Sequence, residues 1–102
     1  MGLLSKLFGG GGPSKIETYK EKGAVLIDVR TPGEYKSGHV KGAKNYPVQN
    51  IQGKTKEIAK MNKPVIVYCA SGARSGQAAA ILKSAGIDCI NGGGYGKVSS
   101  YY

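Results

Sequence analysis

This 102-residue chain has one histidine, two arginines and two cysteines. The cysteines stand twenty residues apart, with neither a Cys-x-x-C spacing nor neighbouring histidines, so they do not make a structural zinc site. No metal or other cofactor is called for. Two arginines, without a zinc-finger spacing or an aromatic-glycine strand signature, give no sign of sequence-specific nucleic-acid recognition. No apolar run approaches the roughly twenty residues of a membrane-spanning helix. The apolar start, Met1 to Phe8, is too short for a secretory core followed by a small-residue cleavage site, and Lys6 stands where a myristoylation signal wants Ser or Thr. The expected compartment is therefore the cytoplasm, which also keeps thiols reduced.

Acidic residues are scarce as well, six against fifteen basic ones, for a net charge of +9. Twelve basic and five acidic residues fall in positions 1–63, against three and one in the remainder. The lysines are scattered (Lys15, Lys20, Lys22, Lys36, Lys41, Lys44, Lys54, Lys56, Lys60 and Lys63) rather than blocked, which suits a solvated surface. A net positive field attracts small anions or an acidic protein partner without choosing between them.

Length and a 40% hydrophobic composition suit one compact domain, expected as a monomer. Glycine is abundant, with seventeen residues, but it clusters at Gly9 to Gly12 and Gly92 to Gly96 without a three-residue period, which excludes collagen. The first cluster reads as a flexible joint, so residues 1–12 are expected to be a flexible tail, 13–98 a single domain and 99–102 a short C-terminal tail.

Helix and strand signals alternate along the domain. Pro13 and Ser14 precede a helix over residues 15–22 that Gly23 stops, and residues 24–29 form a buried strand. Thr31 as N-cap, Pro32 at the first position and Glu34 as reciprocal cap predict a short helix ending at Gly38. A short strand at 44–46 and a helix over 52–61, with Ile58 and Met61 on one face, follow. Lys63-Pro64 then introduces a strand at 65–69, a helix spans 74–85 with Gly86 as C-cap candidate, and 87–90 is a last short strand. Such alternation favours an α/β fold with a parallel sheet and helices on both faces.

The most informative stretch runs from Val65 to Ser75. An apolar run leads into Cys69; Ala70, Ser71, Gly72 and Ala73 follow; Arg74 stands where a helix is about to begin. Small residues let successive N–H groups converge, and those amides with the helix dipole lower a thiol pKa below its free value of about 8.5. Two readings stand: a reactive thiolate, or a small buried hydrophobe beside an ordinary turn.

The loop resembles that of the rhodanese, or sulfurtransferase, family, which has a cysteine, four residues and a basic residue opening a helix. The similarity extends to Asp28-Val29-Arg30, to Glu34-Tyr35, to the run from Gly38-His39-Val40 through Gly42-Ala43 to Asn45, to Pro47, and to the paired glycines near Gly92-Gly93-Gly94. It covers about residues 14–98. The resemblance implies a rhodanese-like five-stranded parallel sheet, strand order 1-5-4-2-3, flanked by helices on both faces. It also implies that Cys69 attacks the outer sulfur of a donor, holds it as a persulfide and passes it to a thiol, cyanide or protein acceptor. The amides of Ala70, Ser71, Gly72, Ala73, Arg74 and Ser75 would bind the substrate's developing charge, and the Arg74 side chain would either contact an oxyanion donor or point back to tie the loop down.

Two details refine this. The related dual-specificity phosphatase loop has five residues between Cys and Arg, a wider cradle for a phosphoryl group, so four residues argue for sulfur transfer over phosphate or arsenate chemistry. Thiosulfate-cleaving relatives commonly carry basic residues where Ala70 and Ala73 stand here, which leaves the donor open between a small sulfur-containing anion and a persulfide. A sulfur carrier without turnover and a regulatory protein-binding module are the competing functions.

Asp28, Arg30 and His39 are expected to form a structural network that organises loops beside the active strand. Cys89 reads as a buried structural cysteine, with a resolving thiol as the alternative. The segment from Gly92 to Tyr102 reads as a flexible loop running to an aromatic tail, with Tyr95 either covering the active loop or packing on the preceding helix.

Overall fold

A computed structural model describes residues 14–102; the expected tail at 1–12 lies outside the described residues. Ser14 and Thr31 open two helices by the same device. The Ser14 hydroxyl accepts from Glu17 N while the Glu17 carboxylate accepts from Ser14 N, starting α1 (Lys15–Glu21). Thr31 and Glu34 repeat the exchange at α2 (Pro32–Ser37), with Pro32 filling a first-turn position whose N–H has no intrahelical partner.

Between and beyond them lie β1 (Val25–Asp28), β2 (Lys44–Asn45), β3 (Val65–Cys69) and β4 (Cys89–Gly94), all parallel in the order β2-β1-β3-β4. Every residue of β3 is buried, as its unbroken apolar run requires of a central parallel strand. The pleat divides that run. Ile27, Val65, Val67 and Cys69 face a layer that contains Ile51, Ile58, Ala78 and Leu82, whereas Leu26, Ile66, Tyr68 and Ile90 face Ile16, Val40 and Val98. Helices therefore cover both faces: α3 (Thr55–Ala59) and α4 (Ala73–Ser84) on one, α1 and α5 (Tyr95–Ser99) on the other.

Three expectations are corrected. The sheet has four strands among the described residues, not the five the resemblance implies: only the four stretches whose sequence reads as strand pair in it, and residues 15–21 before β1 form the expected helix α1. The helix expected over 52–61 is a 3-10 helix over Val48–Lys54 followed by the short α3. Its first part lacks a side-chain cap and contains Gly53, which disfavours a regular α-helix, and Met61 falls beyond α3 while Ile51 and Ile58 are both fully buried. The third correction concerns the glycine run, which is strand rather than flexible loop. A Cβ on Gly94 would lie 2.8 Å from Ala70 O, so glycine there permits β4 to run close under the loop after β3.

The chain then forms α5. Its first residue, Tyr95, packs against the core layer that contains Tyr68; its ring lies 6.0 Å from that of Tyr68, with the Arg30 guanidinium 4.6 Å from its centre. Ser99 closes α5, Tyr101 packs against the adjoining core layer, and Tyr102 is exposed.

Candidate active site

Cys69 is the last residue of β3, at the carboxyl edge of the sheet, and α4 begins four residues later. Gly72 makes the turn with φ 107°, a left-handed conformation that a side chain strongly disfavours. This brings Gly72 N to 3.0 Å and Ser75 N to 3.4 Å from the sulfur, with the Ser75 hydroxyl also at 3.4 Å. Gly76 N donates to Gly72 O at 2.9 Å and starts the ladder of α4 from the same glycine. The thiol thus sits beneath a ring of donors at a helix N-terminus.

Burial pushes the Cys69 thiol up, but the Ser75 hydroxyl and the amides of Ser75, Gly72 and Ser71 more than offset it, and its pKa falls to about 7. The thiolate is therefore accessible at neutral pH. Of the expected ring, Ser71, Gly72 and Ser75 supply these donors. Ala70 and Ala73 are exposed at the rim with no side-chain donor to offer, so an arriving anion meets no positive charge from either position.

The Arg74 side chain leaves the ring for Glu34. Its two guanidinium nitrogens donate to the two carboxylate oxygens at 2.8 and 3.1 Å, a bidentate pair linking α4 to α2. This pairing, with the Thr31 amide, holds the Glu34 carboxyl down at about 2. Glu34 was foreseeable as a cap but not as the partner of a residue forty positions away.

Asp28 and Arg30 form a buried pair at the end of the neighbouring strand, β1. Arg30 Nη2 and Nε donate to Asp28 Oδ2 at 2.7 and 3.0 Å, and Arg30 Nη2 reaches Gly38 O at 2.6 Å. Asn45 Nδ2 donates to the carbonyls of both Asp28 and Arg30 at 3.0 Å. His39 lies outside this set: its ring stacks on Tyr35 at 3.7 Å, and Nδ1 lies 2.9 Å from Tyr35 O. No hydrogen bond joins it to Cys69.

One further residue completes the site's support, and sequence reasoning missed its role. Asn91 donates from Nδ2 to Gly72 O at 3.1 Å and accepts at Oδ1 from Gly93 N at 2.9 Å and from the Ser75 hydroxyl at 2.6 Å. The β3–β4 register shifts between Val67 and Tyr68, pairing Asn91 with Val67 but Gly93 with Tyr68. That irregularity has no sequence signature beyond the glycines themselves.

Cys89 lies at the opposite end of the sheet. It pairs with Val65, whereas Cys69 pairs with Gly94. Four strand steps separate the two levels, about 13 Å, beyond the Cα separation of under about 7 Å that a disulfide requires. Burial pushes the Cys89 thiol up to about 12. It is a packed thiol with no route to resolving Cys69 in this fold. Among the described residues, no cluster of three or more His, Cys, Asp or Glu side chains is placed to hold a metal ion, and no helix is long and apolar enough to cross a membrane.

Comparison with known proteins bears on this geometry. The chain is 38% identical over 78 residues to a protein named thiosulfate sulfurtransferase GlpE from Pseudomonas fluorescens, covering 76% of this chain and 71% of that one. It is 44% identical over 63 residues to the uncharacterized protein YqhL of Bacillus subtilis, covering 62% of this chain and about half (49%) of YqhL. A solved structure described as rhodanese with anions from E. coli superposes with a TM-score of 0.66 at 37% identity, covering 72% of this chain and 89% of that one. The sequence profile of the rhodanese-like domain matches residues 13–101, so the Cys69 loop and the strands that carry it lie wholly within the match, and the chain belongs to the rhodanese-like domain family.

Proposed function

We propose that this chain is a sulfurtransferase that carries sulfane sulfur as a persulfide on Cys69. The observation that supports this most directly is the sulfur itself, set under converging amides with a pKa of about 7. The Cys69 thiolate attacks the outer sulfur of the donor. A new S–S bond forms to Cys69 as the donor's own bond to that sulfur breaks, and the electron pair leaves with sulfite, when thiosulfate is the donor, or with a thiolate, when a persulfide is. An acceptor such as cyanide or a thiol then attacks the outer sulfur, and the bond to Cys69 breaks to return the thiolate. The amides already face the position where negative charge sits in the thiolate, so little reorganisation accompanies the step.

Donor preference follows from charge. Ala70 and Ala73 offer no cation, and Arg74 is held by Glu34, so the cradle carries few of the groups that bind a divalent anion tightly. A persulfide donor suits this site better than thiosulfate, which serves as an assay donor at low efficiency. The same feature favours a second reading, a sulfur carrier that loads Cys69 but turns over only with a protein acceptor. An acidic partner would complement the net charge of +9, and the chain would act as a monomer in the cytoplasm.

The test is intact-mass analysis after exposure to thiosulfate or polysulfide, followed by cyanide. A gain of one sulfur that cyanide discharges, repeated over many cycles, supports the enzyme. A stable gain with negligible turnover on small acceptors supports the carrier, and no gain from either donor overturns both.

A further inference from the structure

Ser75 has one hydroxyl proton and three neighbours positioned to receive it. Its Oγ lies 2.6 Å from Asn91 Oδ1 and 3.4 Å from Cys69 Sγ, with Gly93 O also at 3.4 Å. The Asn91 amide has one consistent orientation. Nδ2 donates to Gly72 O and the opposite atom accepts from Gly93 N, so the atom facing Ser75 is an oxygen that can only accept. The 2.6 Å contact therefore requires the Ser75 hydrogen. While that hydrogen points at Asn91, Ser75 turns a lone pair toward the sulfur, an arrangement that accepts from a thiol S–H and disfavours a thiolate.

We propose that Asn91 is a positioning residue that competes with Cys69 for the Ser75 hydroxyl proton and so sets how readily the sulfur ionises. In the thiol form Cys69 donates to Ser75 and Ser75 donates to Asn91. When the thiol proton leaves to solvent, the Ser75 hydroxyl rotates about its Cβ–Oγ bond and donates to the sulfur, while Asn91 Oδ1 retains the Gly93 N–H. The charged groups around the site are Arg74 of α4 with its Glu34 partner on α2, the Asp28–Arg30 pair at the end of β1, and Lys97 of α5, whose side chain lies near Gly93. Neither Ser75 nor Asn91 carries charge, so replacing them by apolar residues leaves this field in place.

The test follows the alkylation of Cys69 by iodoacetamide against pH in a Cys89→Ala background. Asn91→Ala and Asn91→Leu remove the competing acceptor and should lower the apparent pKa of Cys69 by about half a unit to one unit, the range of one neutral hydrogen bond. With Ser75→Ala also present, neither substitution should lower it. A purely structural brace predicts the opposite sign, because loss of the Asn91 bond to Gly72 would loosen the ring and raise the pKa. The leucine variant keeps most of the side-chain volume should the alanine variant unfold. A raised or unchanged pKa with the circular dichroism spectrum intact overturns the proposal, and so does a lowering that survives without the Ser75 hydroxyl. The proposal rests on Cys69 as the reactive nucleophile, but alkylation needs no sulfur donor, so failed competition and failed sulfur transfer give separate signals.

Discussion

The two ends of the β3–β4 pair hold two cysteines that are both buried and chemically opposite. Cys69 at the carboxyl end has no exposed surface, and Cys89, beside Val65 at the amino end, is 3% exposed. Burial raises both thiols, yet one falls to about 7 and the other rises to about 12. The difference is in donors. At the carboxyl end of a parallel strand the chain turns into a helix whose first N–H groups have no internal partner, and here they converge on sulfur. Cys89 has only a weak contact of its own, Sγ to Ile90 O at 3.7 Å, and that asks it to remain a thiol. Burial thus says little about a cysteine's reactivity until the surrounding donors are counted.

The comparison breaks most decisively at the nucleophile. Cys69→Ser should abolish the mass gain on thiosulfate or polysulfide exposure with the circular dichroism spectrum unchanged, whereas Cys89→Ala should retain it in full. A persulfide that persists in Cys69→Ser would transfer the role elsewhere.

Titration gives the next largest effect. With a midpoint near 7, Cys69 alkylation should rise about tenfold between pH 6 and pH 8, while Cys89 stays unmodified in the folded protein. The two thiols also pull stability in opposite directions. The folded pKa of Cys69 lies below its ordinary 9.0, so its contribution grows as pH rises from about 7 to 9 and is lost as pH falls through 7. The folded pKa of Cys89 lies above 9.0, so its contribution is complete below pH 9 and is lost as pH rises toward 12. Urea melts of the two single variants across pH 6 to 10 would separate these trends, and parallel curves would refute the assignment.

Charge at the rim is a smaller lever. Ala70→Arg should raise kcat/KM for thiosulfate about three- to tenfold and change it less for a persulfide donor, because an added cation gains more against a dianion than against a monoanion. Equal gains for both donors would remove electrostatics as the cause. Smaller still is Glu34→Gln, which preserves the capping exchange with Thr31 but releases Arg74 from its ion pair. The pair is partly exposed and screened, so an about two- to threefold drop in KM for thiosulfate at unchanged kcat is expected. A higher KM would mean that Arg74 serves the loop better tied than free.

Local physics settled much of this protein in one dimension. The apolar run at Val65–Cys69 had to be a buried strand, Thr31-Pro32 with Glu34 had to start a helix, and four small residues between Cys69 and Arg74 announced a tight turn over a helix N-terminus. These features depend on neighbours a few positions away, and they were legible for that reason. Tertiary structure decided what depends on register and on long closures. The shift between Val67 and Tyr68 brings Asn91 onto Ser75 and lets the glycine run pair as strand, Glu34 captures Arg74 across forty residues, and Cys89 ends four strand steps from Cys69. Side-chain identity limits which contacts each of these residues can make. Which contact forms is set by the alignment of separate strands and helices, an energy summed over the whole sheet that no single segment carries.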